Sequence, residues 1–144
     1  MNLQSHLNEI TRLRTEADKL PEDNPAGLMH KIELLAKCMV YVGRLSSALD
    51  GDYKRAYALR KRTYAQAYID APRAKEAHAE LAVADLREAE AQAYEDSRRW
   101  RNALESLTEE IHSLKLKLRI DFVDGTVGNV HIQSGSQTRP QARQ

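Results

Sequence analysis

Apolar residues recur at three- and four-residue steps through most of this chain. Between Leu3 and Lys19 the positions Leu3, Leu7, Ile10, Leu13 and Ala17 fall on one face of a helix. Pro21 and Pro25, with Glu22, Asp23 and Asn24 between them, remove backbone donors and predict a turn. The stepping resumes at Leu28, Ile32, Leu35, Met39 and Val42, widened by Cys38 and Leu45, and predicts a more buried helix to about Ala48. The cluster Asp50, Gly51 and Asp52 predicts a break or kink, because glycine favours a helix end and either aspartate can cap the next helix. A third helix is then expected from about Tyr53 to Ile69.

Asp70, Ala71 and Pro72 read as a cap and a first-turn proline, after which neither proline nor glycine occurs until Gly125. One very long helix is therefore expected from Arg73 to about Arg119. Its seam runs through Ala79, Ala82, Leu86, Ala89 and Ala93, then through Trp100, Leu104, Leu107, Ile111, Leu114 and Leu118, the halves joined at Ser97 by a stutter-like step. At 1.5 Å per residue such a rod would extend roughly 70 Å. Its seam predicts packing against the earlier helices, other subunits, or both. One passage keeps an alternative open. Leu114, Leu116, Leu118, Ile120 and Phe122 alternate with charged residues at a strand period, and Asp124-Gly125 suits a hairpin turn leading to Val127 through Ile132.

The expected fold class is thus all-α. It is a helical hairpin or bundle forming a single domain over residues 1–124, with one long amphipathic C-terminal helix of coiled-coil character. A polar, disordered tail is expected over residues 125–144. A hydrophobic share of 42% in 144 residues supplies one modest core, and with only 6% aromatics that core should consist of narrow alanine and leucine seams. The balance of 22 basic against 21 acidic residues excludes an overall electrostatic grip on nucleic acid and directs attention to local patches. One cysteine, Cys38, rules out an internal disulfide. Without an apolar leader or a long hydrophobic segment, a cytoplasmic protein that does not enter a membrane is expected.

Little in the sequence points to catalysis. His6, His30, His78, His112 and His131 lie on different segments, without a partner at metal-ligand spacing. Gly125 and Gly128 do not form a phosphate-cradling loop. Glu88, Glu90, Glu95, Asp96, Glu109 and Glu110 have basic neighbours three or four residues away and read as a solvated, ion-paired face. No enzyme activity, cofactor or metal is expected.

The stretch from Tyr53 to Tyr68 is different, because basic residues and tyrosines interleave on one helix. At 100° per residue, Tyr53, Tyr57, Tyr64 and Tyr68 form a single stripe, with Arg60 beside it and Lys54 and Lys61 on one flank. Cations bordering aromatic rings suit an unpaired nucleic-acid strand, whose phosphates meet the cations while its bases stack on the rings. The same stripe also suits a half-buried packing face whose lysines and arginines keep it soluble.

These residues carry a resemblance. The layout from about Asp50 to Phe122 resembles the UvsY-like family of phage recombination mediators, in which a basic, tyrosine-containing helix like Ala58-Leu59-Arg60-Lys61-Arg62-Thr63-Tyr64 precedes a long amphipathic helix. Leu81-Ala82-Val83-Ala84-Asp85-Leu86, then Tyr94, Trp100, Leu104, Leu107 and Ile111, is similar to the family's run through an aromatic pair into a leucine-rich end, although here Tyr94 and Trp100 are not adjacent. The resemblance implies a homo-oligomeric ring that binds single-stranded DNA and loads a RecA-type recombinase onto DNA covered by single-strand-binding protein. Carried onto this chain, the DNA contacts would be Lys54, Arg55, Arg60, Lys61, Arg62 and Tyr64, joined by Tyr57 from the stripe. The assembly contacts would be Trp100, Leu104, Leu107, Ile111, Leu114 and Leu118. The competing expectation is a helical protein-interaction module, a scaffold, assembly factor or inhibitor, whose tyrosine face receives a protein.

Overall fold

The computed structural model describes residues 2–124. They form helices α1 (Leu3–Asp18), α2 (Pro25–Asp70), α3 (Lys75–Ala82) and α4 (Ala84–Leu118), followed by a π-helical turn over Arg119–Asp124. No strand occurs among the described residues, so Leu114 to Phe122 takes the helical of its two readings. The remainder of the alternative hairpin and the expected tail over residues 125–144 lie outside the described residues.

Two helix starts follow directly from local chemistry. The Asn2 side chain accepts a hydrogen bond from the Ser5 backbone N–H at 3.2 Å, and the Asn24 side chain accepts one from Gly27 N–H at 2.7 Å. Pro25 opens α2, where its missing N–H costs nothing. Gly27 is required by the approach of the preceding turn: a Cβ there would lie 2.6 Å from the Pro21 carbonyl oxygen.

Helices α2 and α4 run antiparallel, as contacts along their length show: Met39 with Thr108, Asp50 with Arg101, and Arg60 with Glu90. Helix α1 lies on the lower half of this pair. The core is formed there by Leu13 and Ala17 of α1, by Leu28, Leu34, Leu35, Cys38 and Val42 of α2, and by Leu107, Ile111 and Leu114 of α4. This three-helix base is closed by ion pairs that cross between elements. Lys31, nearly buried, meets Glu22 at 2.9 Å, and Glu22 also reaches Lys117 of α4 at 3.5 Å. Arg14 of α1 grips Glu110 of α4. Beyond Ser46 and Ser97, both buried where α2 and α4 approach, the upper half of α2 pairs only with α3 and the start of α4. That half forms a two-layer arm.

Three boundaries differ from expectation. Helix α2 continues through Asp50, Gly51 and Asp52 to a length of 46 residues. Neither aspartate caps a new helix there, because Asp50 is held by Lys54 one turn on and by Arg101 across the interface, and Asp52 pairs with Arg55. Pro72 ends α2 and does not start the next helix. It holds Ala71 extended at φ −72° and ψ 128°, and α3 starts only at Lys75, after Ala74 at a positive φ of 44°. The expected single long helix is also interrupted at Val83, whose φ of −110° and ψ of 5° separate α3 from α4. Val83 is fully buried, and this break moves Ala82 and Ala89 of the expected seam to the surface.

Two glycines offer opposite tests of this arrangement. Gly27→Ala forces a methyl against Pro21 and is expected to lower stability by about 1–3 kcal/mol. Gly51→Ala meets only the movable Arg55 guanidinium, 3.3 Å away, and should raise stability by up to about 1 kcal/mol in an unbroken helix. Urea unfolding followed by far-UV circular dichroism measures both, and a marked loss at position 51 would mean the chain breaks there.

The base should also be acid-sensitive. The hydrogen bond from Lys31, with charge from Lys31 and Lys117, holds the Glu22 carboxyl below its ordinary pKa. A carboxylate depressed in the folded state stabilises fully above its unfolded value of about 4.3, and this contribution disappears as pH falls through the folded pKa. Glu22→Gln is therefore expected to lower stability at pH 7 and to flatten its decline below about pH 4.3, measured by urea unfolding across pH. An unchanged slope would place the acid sensitivity elsewhere.

Candidate nucleic-acid interface

The arm divides the tyrosine stripe. Tyr53, Ala56, Arg60, Thr63, Tyr64 and Ala67 are half-buried and face the partner helices, whereas Tyr57 and Tyr68 lie exposed along one edge. Tyr53 meets Tyr94 of α4 edge to face, with centroids 5.2 Å apart, and Tyr64 stacks on Tyr68 at 6.4 Å. The packing and the binding readings of the stripe therefore each apply to some of its rings.

Cations sit over the two exposed rings. Lys61 Nζ lies 5.5 Å from the Tyr57 centroid and the Arg60 guanidinium 5.4 Å from it, while Lys75 Nζ of α3 lies 5.7 Å from the Tyr68 centroid. Among the described residues neither Lys61 nor Lys75 has an ion-pair partner. Lys75 was not legible as a site residue, since the Pro72 stop and the left-handed Ala74 are what return the chain to the end of α2. The positive φ at an alanine carries no sequence signal.

The other expected DNA contacts occupy different settings. Lys54 is exposed but pairs with Asp50 at 2.7 Å, which with Arg101 and Ser97 keeps the Asp50 carboxyl below its usual range. Arg55 pairs with Asp52. Arg60 is gripped by both carboxylate oxygens of Glu90 across the arm and is held firmly protonated, first by that hydrogen bond. Arg62 lies on the opposite edge, beside Gln66, Asp70 and His78. Of the residues expected to act together, Lys54, Tyr57 and Lys61 lie along the exposed edge with Tyr64 partly beneath it, Lys54 held there by Asp50, whereas Arg55 and Arg62 lie on other faces.

A groove of about 520 Å³ opens beside this edge, lined by Tyr53, Arg60, Arg87, Glu90, Ala91 and Tyr94. Arg87 is paired with Glu80 across the Val83 break. Both arginines in the groove are therefore neutralised by glutamates.

The leucine seam expected to pack against the earlier helices, other subunits, or both packs against the earlier helices. Leu107, Ile111 and Leu114 are buried in the chain's own core, and Trp100, Leu104 and Leu118 pack against it. Trp100, Leu104 and Leu118 remain half-buried at the edge of this core. Exposed apolar side chains occur on the arm at Leu59, Ile69, Leu81 and Tyr94, and on the base at Met29, Val40, Leu116 and Ile120.

Among the described residues no cluster of three or more histidine, cysteine or acidic side chains is placed to hold a metal ion, and no helix is long and apolar enough to cross a membrane. Comparison of the chain with protein-family models, with curated proteins and with solved structures returns no match in any of the three.

Proposed function

We propose that this protein is a non-enzymatic single-stranded-DNA-binding protein whose arm edge carries the strand. The observation that supports the reading is the pairing of exposed Tyr57 with Lys61 and of exposed Tyr68 with Lys75, two lysines without an ion pair among the described residues, each set over a ring. A phosphate can draw each ammonium from its ring, and the freed ring face then accepts a base without regard to sequence. From Tyr57 to Tyr68 the edge spans roughly 16 Å at 1.5 Å per residue, a short track. Homo-oligomerisation would repeat that track and convert weak contacts into avidity. With the resemblance to UvsY-like mediators, the reading extends to loading of a RecA-type recombinase onto strands covered by single-strand-binding protein, in the cytoplasm.

A second reading draws on a separate observation. Ile69 and Leu81 are 69% and 80% exposed on the arm, and such apolar side chains favour a protein partner. A helical interaction module would use this surface without binding DNA.

The two separate in one titration. Changing Lys61 and Lys75 to alanine is expected to weaken binding to a labelled oligothymidine and to reduce the log–log salt slope by about 1.4, or about 0.7 for each lost phosphate contact. Tyr57→Ala and Tyr68→Ala should each cost about 1–3 kcal/mol of binding with little change in slope. Fluorescence anisotropy at several salt concentrations reads both effects, with circular dichroism confirming intact helix. Undiminished affinity in the folded double lysine variant would reject the strand assignment.

A further inference from the structure

The groove between the upper part of α2 and the start of α4 combines two features that a packing contact alone does not require. Tyr53 and Tyr94 present an edge-to-face aromatic pair, and Tyr94 is half exposed. Beside them stand Arg60 and Arg87, each neutralised by a glutamate from another element or across a helix break. A carboxylate on a guanidinium occupies the place where a phosphate would bind, with the same fork geometry.

We infer that this groove is a nucleotide subsite held closed by Glu90: a base seats against Tyr94 and Tyr53 while its phosphate takes Arg60 from the Glu90 carboxylate. The inference rests on the single-strand reading above and deepens it. Arg60 links the two regions, since its guanidinium both lines the groove and lies over Tyr57 on the exposed edge. A strand tracking Tyr57 and Lys61 therefore reaches the groove without leaving the arm. The groove, about 520 Å³, is open to solvent, so a strand can enter it from the arm edge. Its walls carry no net charge while both glutamates are engaged. Displacing Glu90 leaves a guanidinium facing the incoming phosphate and returns a carboxylate to water. Glu90 is thus a built-in competitor that lowers affinity for any anion too weak to displace it, and it favours a polyanion already anchored at Lys61 and Lys75.

The test is removal of the competitor. Glu90→Gln keeps the side-chain shape and abolishes the charge. It is expected to tighten oligothymidine binding by about three- to fivefold with little change in the salt slope, because the Arg60–phosphate contact forms in both proteins. Adding Arg60→Gln should abolish the gain, and Tyr94→Leu should weaken binding while keeping the apolar cover. Glu90→Asp, shorter by one methylene and still charged, is expected to fall between wild type and Glu90→Gln, and it provides the reading should Glu90→Gln fail to fold. Unchanged or weaker binding by folded Glu90→Gln or Glu90→Asp, when the wild-type protein binds oligothymidine, would overturn the inference and leave the strand reading standing. Failure of the wild-type protein to bind at low salt would overturn the strand reading itself. Competition by thymidine monophosphate as effective as the oligonucleotide, phosphate for phosphate, would show a free-nucleotide site and would also overturn the inference.

Discussion

The continuity of α2 is the constraint on which the other features depend. Because this helix passes through Gly51 without a break, its upper twenty residues project beyond the reach of α1. A helix of that length cannot bury all its sides in a chain this small. The lower half is enclosed by α1 and α4 around Leu35 and Cys38, and the upper half is covered on one side only. The exposure of Tyr57 and Tyr68 and of apolar Ile69 and Leu81 on the arm follows from that second layer being the last.

Ion pairs between elements tie α4 to the rest of the chain from base to arm. Glu22 with Lys117 and Arg14 with Glu110 tie the base, Asp50 with Arg101 ties the middle, and Arg60 with Glu90 ties the arm. Partly exposed pairs of this kind contribute little to stability. Their value here is register. The arm's interface is rich in alanine, and alanine seams accept several alignments at similar cost, whereas a shift by one turn would separate every one of these charges. A nearly neutral chain is thus arranged with several of its opposite charges used for alignment.

The sequence made the helices legible because apolar spacing is a local property. The turn between Pro21 and Pro25, the burial of Leu28, Leu35 and Val42, and the packing of Leu107, Ile111 and Leu114 against earlier helices could all be read from it. The breaks were harder, since they are decided by tertiary contact. Asp50, Gly51 and Asp52 carry strong end signals that are overridden by Arg101 and Lys54, and Val83 interrupts a helix at a residue with no end signal at all. The tyrosine stripe was visible as a stripe. Which of its rings would be covered depended on the position of α4, and the partner that Glu90 makes for Arg60 is separated from it by thirty residues.

The division of α2 between a three-helix base and a two-layer arm also bears on how the molecule opens. In the arm, the buried side chains are chiefly Ala71, Ala79 and Val83, small groups that remove little apolar surface from water. Amide protons there should exchange through sub-global opening of the arm, while those between Leu28 and Val42 should wait for global unfolding. A single unbroken helix then spans two cooperative units with different opening free energies. Backbone continuity in this protein does not make the helix one thermodynamic element.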